Sequence, residues 1–246
     1  MKLKALFSNY RFSRLVVSLA LLAGLSLGAA PAPQAALAAA AADIIGPAGS
    51  GSFGTAVYVL PNGNIVVTDP MYDADAVANV GAVYLYDGAS KALISTLTGS
   101  AANDYVGRGG AVILANGNYV VSSPYWRNGS VAGAGAVTWC SPTTGCSGAV
   151  SASNSLVGST AFDRIGTLLD LDLETTIYAL PNGNYVVASS SWHNGAEANA
   201  GAATWGNGAT GITGVVSVTN SLIGSTADDA EYGVDIAILP TSSLSE

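Results

Sequence analysis

After residue 43 the chain reads as short apolar, β-branched runs separated by turns rich in Gly and Asn. Residues 55–60 and 65–68 flank Pro61-Asn62-Gly63-Asn64. Asn-Gly between two such runs predicts a β-hairpin whose two central positions tolerate positive φ. The pattern recurs at residues 111–114 with 119–122, and at 177–180 with 185–188. Further on, residues 81–86, the dipeptide Asp87-Gly88 and residues 93–97 predict a second hairpin. No sustained helical period follows residue 43. Upstream the pattern is different: residues 15–27 are apolar and uncharged.

That apolar run follows Lys2, Lys4, Arg11 and Arg14 and precedes small residues around 36–42. Basic start, apolar middle and small-residue cleavage region are the parts of a secretory signal. The run is shorter than the roughly 20 residues of a membrane-spanning helix. Residues 1–42 are therefore expected to form a signal helix that is removed, with a mature N-terminus between Ala30 and Asp43. No Cys follows the apolar run to carry a lipid. The mature chain, residues 43–246, is expected at the cell surface or outside the cell, with no membrane contact.

Three markers repeat in constant order. Asn-Gly-Asn stands at 62–64, 116–118 and 182–184. Gly-Ala comes after each, at Gly81-Ala82, Gly135-Ala136 and Gly201-Ala202. A paired glycine marks each unit's start: Gly46 and Gly54, Gly99 and Gly107, Gly158 and Gly166, and again Gly224 and Gly233. The units run about 45–97, 98–156 and 157–222, with a partial unit at 223–246. The third carries an insertion near residues 170–176. Four antiparallel strands in a repeat of this length predict an all-β protein, an incomplete β-propeller-like array of four-stranded blades. A β-solenoid is the competing architecture, but its shorter rungs lack paired hairpin turns. The fourth unit breaks off after Pro240, which reads as a truncated copy of a longer repeat protein, with open strand edges prone to self-association.

Phe53-Gly54, residues 67–70 and residues 81–86 resemble the FG-GAP repeat of integrin α-type propellers. The chain is also similar to an uncharacterised bacterial repeat of secreted, haemagglutinin-like surface proteins. The shared motifs are Leu156-Val157-Gly158-Ser159, Asn-Gly-Asn-Tyr-Val-Val at 116–121 and 182–187, Trp-x-Asn-Gly at 126–129 and 192–195, and Ala-Gly-Ala-x-Thr-Trp at 134–139 and 200–205. The resemblance implies a propeller fold and a surface role. FG-GAP blades often hold Ca²⁺ in an Asp-rich turn, but here that turn is Asn-Gly-Asn and lacks carboxylates, so no metal is carried over.

Charge narrows the functions. Lys+Arg is 8 and Asp+Glu 16; four of the basic residues precede residue 43, leaving 4 against 16, a net of −12. A nucleic-acid binder needs a basic face. The acidic cluster Asp69, Asp73, Asp75 does not repeat and reads as a solvated loop. Asp104, Asp163 and Asp229 recur five residues after a unit-starting Gly, where a carboxylate can accept backbone N–H bonds. Cys140 and Cys146 flank the second-hairpin turn of the second unit and are expected to form a disulfide. Trp139 and Trp205 sit in predicted strands and read as packing. Trp126 and Trp192 lie in long loops, where ligand contacts gather. His193 lacks a recognisable nucleophile and orienting partner. Asn128-Gly129-Ser130 fits a glycosylation acceptor.

The sequence thus favours a non-catalytic secreted or cell-surface module, for adhesion or as a structural repeat, with an unknown extracellular ligand and no cofactor. The alternative is a secreted propeller enzyme acting on carbohydrate. It would draw its carboxylates from Asp170, Asp172 and Glu174 in the insertion.

Overall fold

The computed structural model describes residues 43–167 and 176–230. The expected signal helix, the acidic insertion and the later part of the fourth unit lie outside them. Among the described residues there are strands, turns and no helix, in three sheets of four or five strands that are mostly antiparallel.

The first sheet is built from β1 (Val57–Val59), β2 (Ile65–Asp69), β3 (Ala82–Tyr86) and β4 (Leu93–Thr98), each antiparallel to the next. The second repeats this with β5 (Ala111–Ile113), β6 (Tyr119–Ser123), β7 (Ala136–Cys140) and β9 (Ser155–Val157). The third uses β10 (Ile177–Ala179), β11 (Tyr185–Ser189), β12 (Ala202–Gly206) and β14 (Ser221–Ile223). A fifth strand was not legible in the repeat. In the second unit β8 (Gly148–Ala149) leaves its own sheet and pairs in parallel with β4 of the first unit. In the third, β13 (Gly214–Val215) does the same to β9. Each such excursion covers the outer edge of the preceding sheet.

The Asn-Gly-Asn hairpin differs in one detail from the expected two-residue turn. Gly63 has φ of 87° and Asn62 does not reach positive φ. Gly63 N–H donates to Leu60 O at 2.8 Å, and Leu60 N–H to Asn64 O at 2.8 Å. This is a three-residue loop, a turn closed by one left-handed glycine. Units two and three repeat both bonds.

Alternation places half of each strand on a face toward the preceding unit and half toward the next one. Val66, Val83, Leu85 and Leu97 of the first sheet pack on Tyr119, Val121, Ala136 and Val157 of the second. Val120, Val137 and Leu156 of the second pack on Ile177, Tyr185, Val187 and Ala202 of the third. The constant placing of Gly-Ala has its reason at this junction. A Cβ on Gly135 would lie 2.2 Å from the backbone N of Ile165 in the next unit. Burial pushes the Tyr185 phenol up to about 12, and moves those of Tyr84 and Tyr119 upward as well.

Candidate ligand-binding site

Two repeated devices hold the loops at one end of the sheets. Asp104 and Asp163 are fully buried and act as hubs. Asp104 Oδ2 accepts the N–H groups of Ser100 and Ala101, while Oδ1 accepts that of Arg127 at 3.1 Å. Asp163 repeats this with Ser159, Thr160 and His193. Asp229 takes the N–H groups of Ser225 and Thr226, and the Thr226 hydroxyl; these bonds hold its carboxyl below the usual range. The recurring aspartates therefore fix loop direction, as their spacing suggested.

The Trp-x-Asn-Gly motif is likewise structural. Asn128 Nδ2 donates to Gly158 O at 2.9 Å, and Asn194 Nδ2 to Gly224 O at 3.0 Å. A glycan on Asn128 would use the nitrogen that makes this contact. Trp126 and Trp192 are each 4 % exposed and pack into the two inter-unit cores. Rings so enclosed offer no face to a ligand, so the expected loop contacts are corrected to core packing. Periodicity could not show this, because the loops fold back between the sheets.

The loop surface carries a different set, half-buried except for Phe162. Arg108 Cζ lies 5.4 Å from the Tyr105 ring and 5.2 Å from that of Tyr125, and Arg164 Cζ is 5.7 Å from Tyr125. The two tyrosine rings meet edge to face at 6.0 Å. Arg164 also lines an open cleft of about 320 Å³ with Phe162, Ser191, His193 and Asn199. Phe162 is 58 % exposed at its rim, with φ of 65°. Three of the four basic residues after position 43, Arg108, Arg127 and Arg164, and the single His therefore lie at this loop end. They occupy positions that differ from unit to unit: Tyr105 stands where the third unit has Arg164, and Arg127 where it has His193. The missed signal was this variation within a constant frame.

A repeat of unknown function, DUF5650, matches residues 59–108, 113–167 and 179–231. The chain belongs to the DUF5650 repeat family. No curated protein matches its sequence. The three DUF5650 matches carry the repeat; they carry neither the FG-GAP nor the haemagglutinin-like assignment.

The DUF5650 loop end gathers guanidinium groups and aromatic rings. His193 Nδ1 faces Asp163 Oδ1 at 3.0 Å, a pairing that orients the imidazole. Among the described residues, the buried Ser191 Oγ beside His193 in the cleft has no hydrogen-bond partner. Asp69, expected in a solvated loop, is instead buried and accepts from Ser52, while Asp73 accepts the Asn79 N–H. Among the described residues no three metal-ligating side chains converge. The Cys140–Cys146 disulfide, with Cα atoms 4.9 Å apart, lies away from this end and closes the turn 141–145.

Proposed function

We propose that this DUF5650 protein is a non-catalytic, exported binding module, with its sheets arranged as blades of a propeller-like array. The ligand is an anionic, sugar-bearing polymer at the cell surface. The observation that carries this reading is the cluster of Arg108, Tyr105, Tyr125, Arg164 and Phe162. It gathers guanidinium groups and ring faces at one loop end of a chain whose mature part is strongly acidic. Guanidinium groups pair carboxylate or sulfate in fork geometry, and flat rings suit the apolar faces of sugars. The repeated buried aspartates and asparagines hold these loops on a rigid frame, as a binding site requires.

The test is titration of the exported protein with an acidic polysaccharide and with a neutral one of matched length. Binding to the acidic polymer, weakened by salt and by Arg108→Ala or Phe162→Ala, supports the reading. Equal binding of both polymers, or of none, overturns it.

A further inference from the structure

The two ends of the array are built differently. In the second and third units a turn carbonyl receives the preceding unit. Pro142 O accepts Nδ2 of Asn62 and of Asn64, at 2.8 and 2.9 Å. Gly208 O accepts Nδ2 of Asn116 and Asn118 and Nε1 of Trp139, at 2.8, 2.7 and 2.9 Å. The left-handed residue ending each turn is Gly145 or Gly211. A Cβ there would meet Ser95 Oγ at 1.7 Å or Trp139 Cβ at 2.7 Å, both of the preceding unit.

The first unit departs from this at three places. Lys91 replaces the glycine, with φ of 63°, and its ammonium donates to Gly88 O, the carbonyl equivalent to Pro142 O and Gly208 O. Tyr84 and Tyr86 stand where the other units have Thr138 or Thr204 and Cys140 or Gly206. Phe53 covers them, with ring centroids 5.7 and 6.3 Å away. The parallel excursion is absent: the chain runs from Ala92 straight through β4. This face is closed with its own side chains.

The opposite face, on the third unit, keeps the donating residues of the second. Trp205 and Leu222 occupy the positions of Trp139 and Leu156, and they are 51 % and 81 % exposed. With Val186, Ala203 and Val218 they line an open groove of about 380 Å³. Among the described residues, Nδ2 of Asn182 and Asn184 and Nε1 of Trp205 have no acceptor, and β14 has no strand on its outer edge.

We infer that this face is a docking site for a further repeat unit of the internal type. The occupant presents a turn carbonyl to the two asparagines and the tryptophan, a glycine against the Trp205 ring and a two-residue strand along β14. The interface is the one already built twice in the chain. A second copy of this chain does not fit head to tail, because Lys91, Tyr84 and Tyr86 fill its receiving face. Two copies tail to tail would set amide and indole donors against one another with no carbonyl between them. The inference rests on the repeat architecture and not on the loop-end ligand; failure of the polysaccharide titration leaves it standing.

The experiment duplicates residues 158–223 in frame between Ile223 and Gly224 of the full chain. The reporter is exchange of the Trp205 indole and Leu222 amide protons. Docking is expected to slow both by about tenfold or more relative to the parent chain. In the same extended chain, Trp205→Asp should abolish this protection, while leaving the parent chain folded because the residue is exposed there. Unchanged exchange at Trp205, with the duplicated unit itself folded, overturns the inference. So does a parent chain that sediments as a dimer and becomes monomeric on Trp205→Asp, since the face would then belong to a second copy.

Discussion

The second and third units present nearly the same surface on their far side, and only one of the two is covered. Leu156 is completely buried beneath the third unit, whereas Leu222, at the same repeat position, is 81 % exposed. Trp139 packs over Gly211 and donates to Gly208 O; Trp205 does neither. The difference lies in the neighbour and not in the residue. The energy of an apolar side chain is set by the water it loses, so one motif stabilises one unit and leaves the other bare.

The sharpest way to break this comparison is at the leucines. Leu156→Ala should cost about 2–5 kcal/mol in chemical unfolding, because it opens a cavity between two sheets. Leu222→Ala should change stability by no more than about 0.5 kcal/mol, as exposed positions do. Equal losses would mean that the third unit's face is covered in solution.

The disulfide tests the receiving turn. Reducing Cys140–Cys146 should lower stability by roughly 2–2.5 kcal/mol from the freed loop. Hydrogen exchange should then rise first around Asn62 and Asn64, whose amides donate to Pro142 O inside that turn. The third unit has no such cross-link, since Gly206 and Ile212 stand at these positions, and its turn should be unaffected.

A smaller contrast separates the asparagines. Asn116 and Asn182 both accept a backbone N–H within their own hairpin, but only Asn116 also donates to the next unit. Asn116→Ala should cost about 0.5–1.5 kcal/mol more than Asn182→Ala, the net worth of that bond. Matched losses in urea titrations would assign the motif to the hairpin alone.

The last effect vanishes at neutral pH. Tyr185 on the covered face has its phenol raised from the ordinary 10 to about 12 by burial. A raised folded value means stability that is fully present below pH 10 and is lost as pH rises through 12. Melting temperature should hold flat to about pH 10 and then fall. Tyr185→Phe should make the alkaline limb shallower without removing it, since burial raises Tyr84 and Tyr119 too; an unchanged limb would leave the loss to those two.

The all-β class, the repeat and its hairpins, the disulfide and the structural aspartates are legible in the residues alone. Each depends on local chemistry: alternation, left-handed glycine, or a short loop between two cysteines. Asn-Gly-Asn is legible too, but as a turn signal alone. Packing shows that these asparagines clamp the next unit, that Trp126 and Trp192 are core, and that the parallel strands β8 and β13 belong to the sheet before their own. Those outcomes depend on which sheet lies against which, and a contact between residues as far apart in the chain as Asn116 and Gly208 leaves no periodic trace. The same holds for the ends. Lys91 and Leu222 look like ordinary surface and core residues, and only the packed sheets show the first as a closure and the second as an open face.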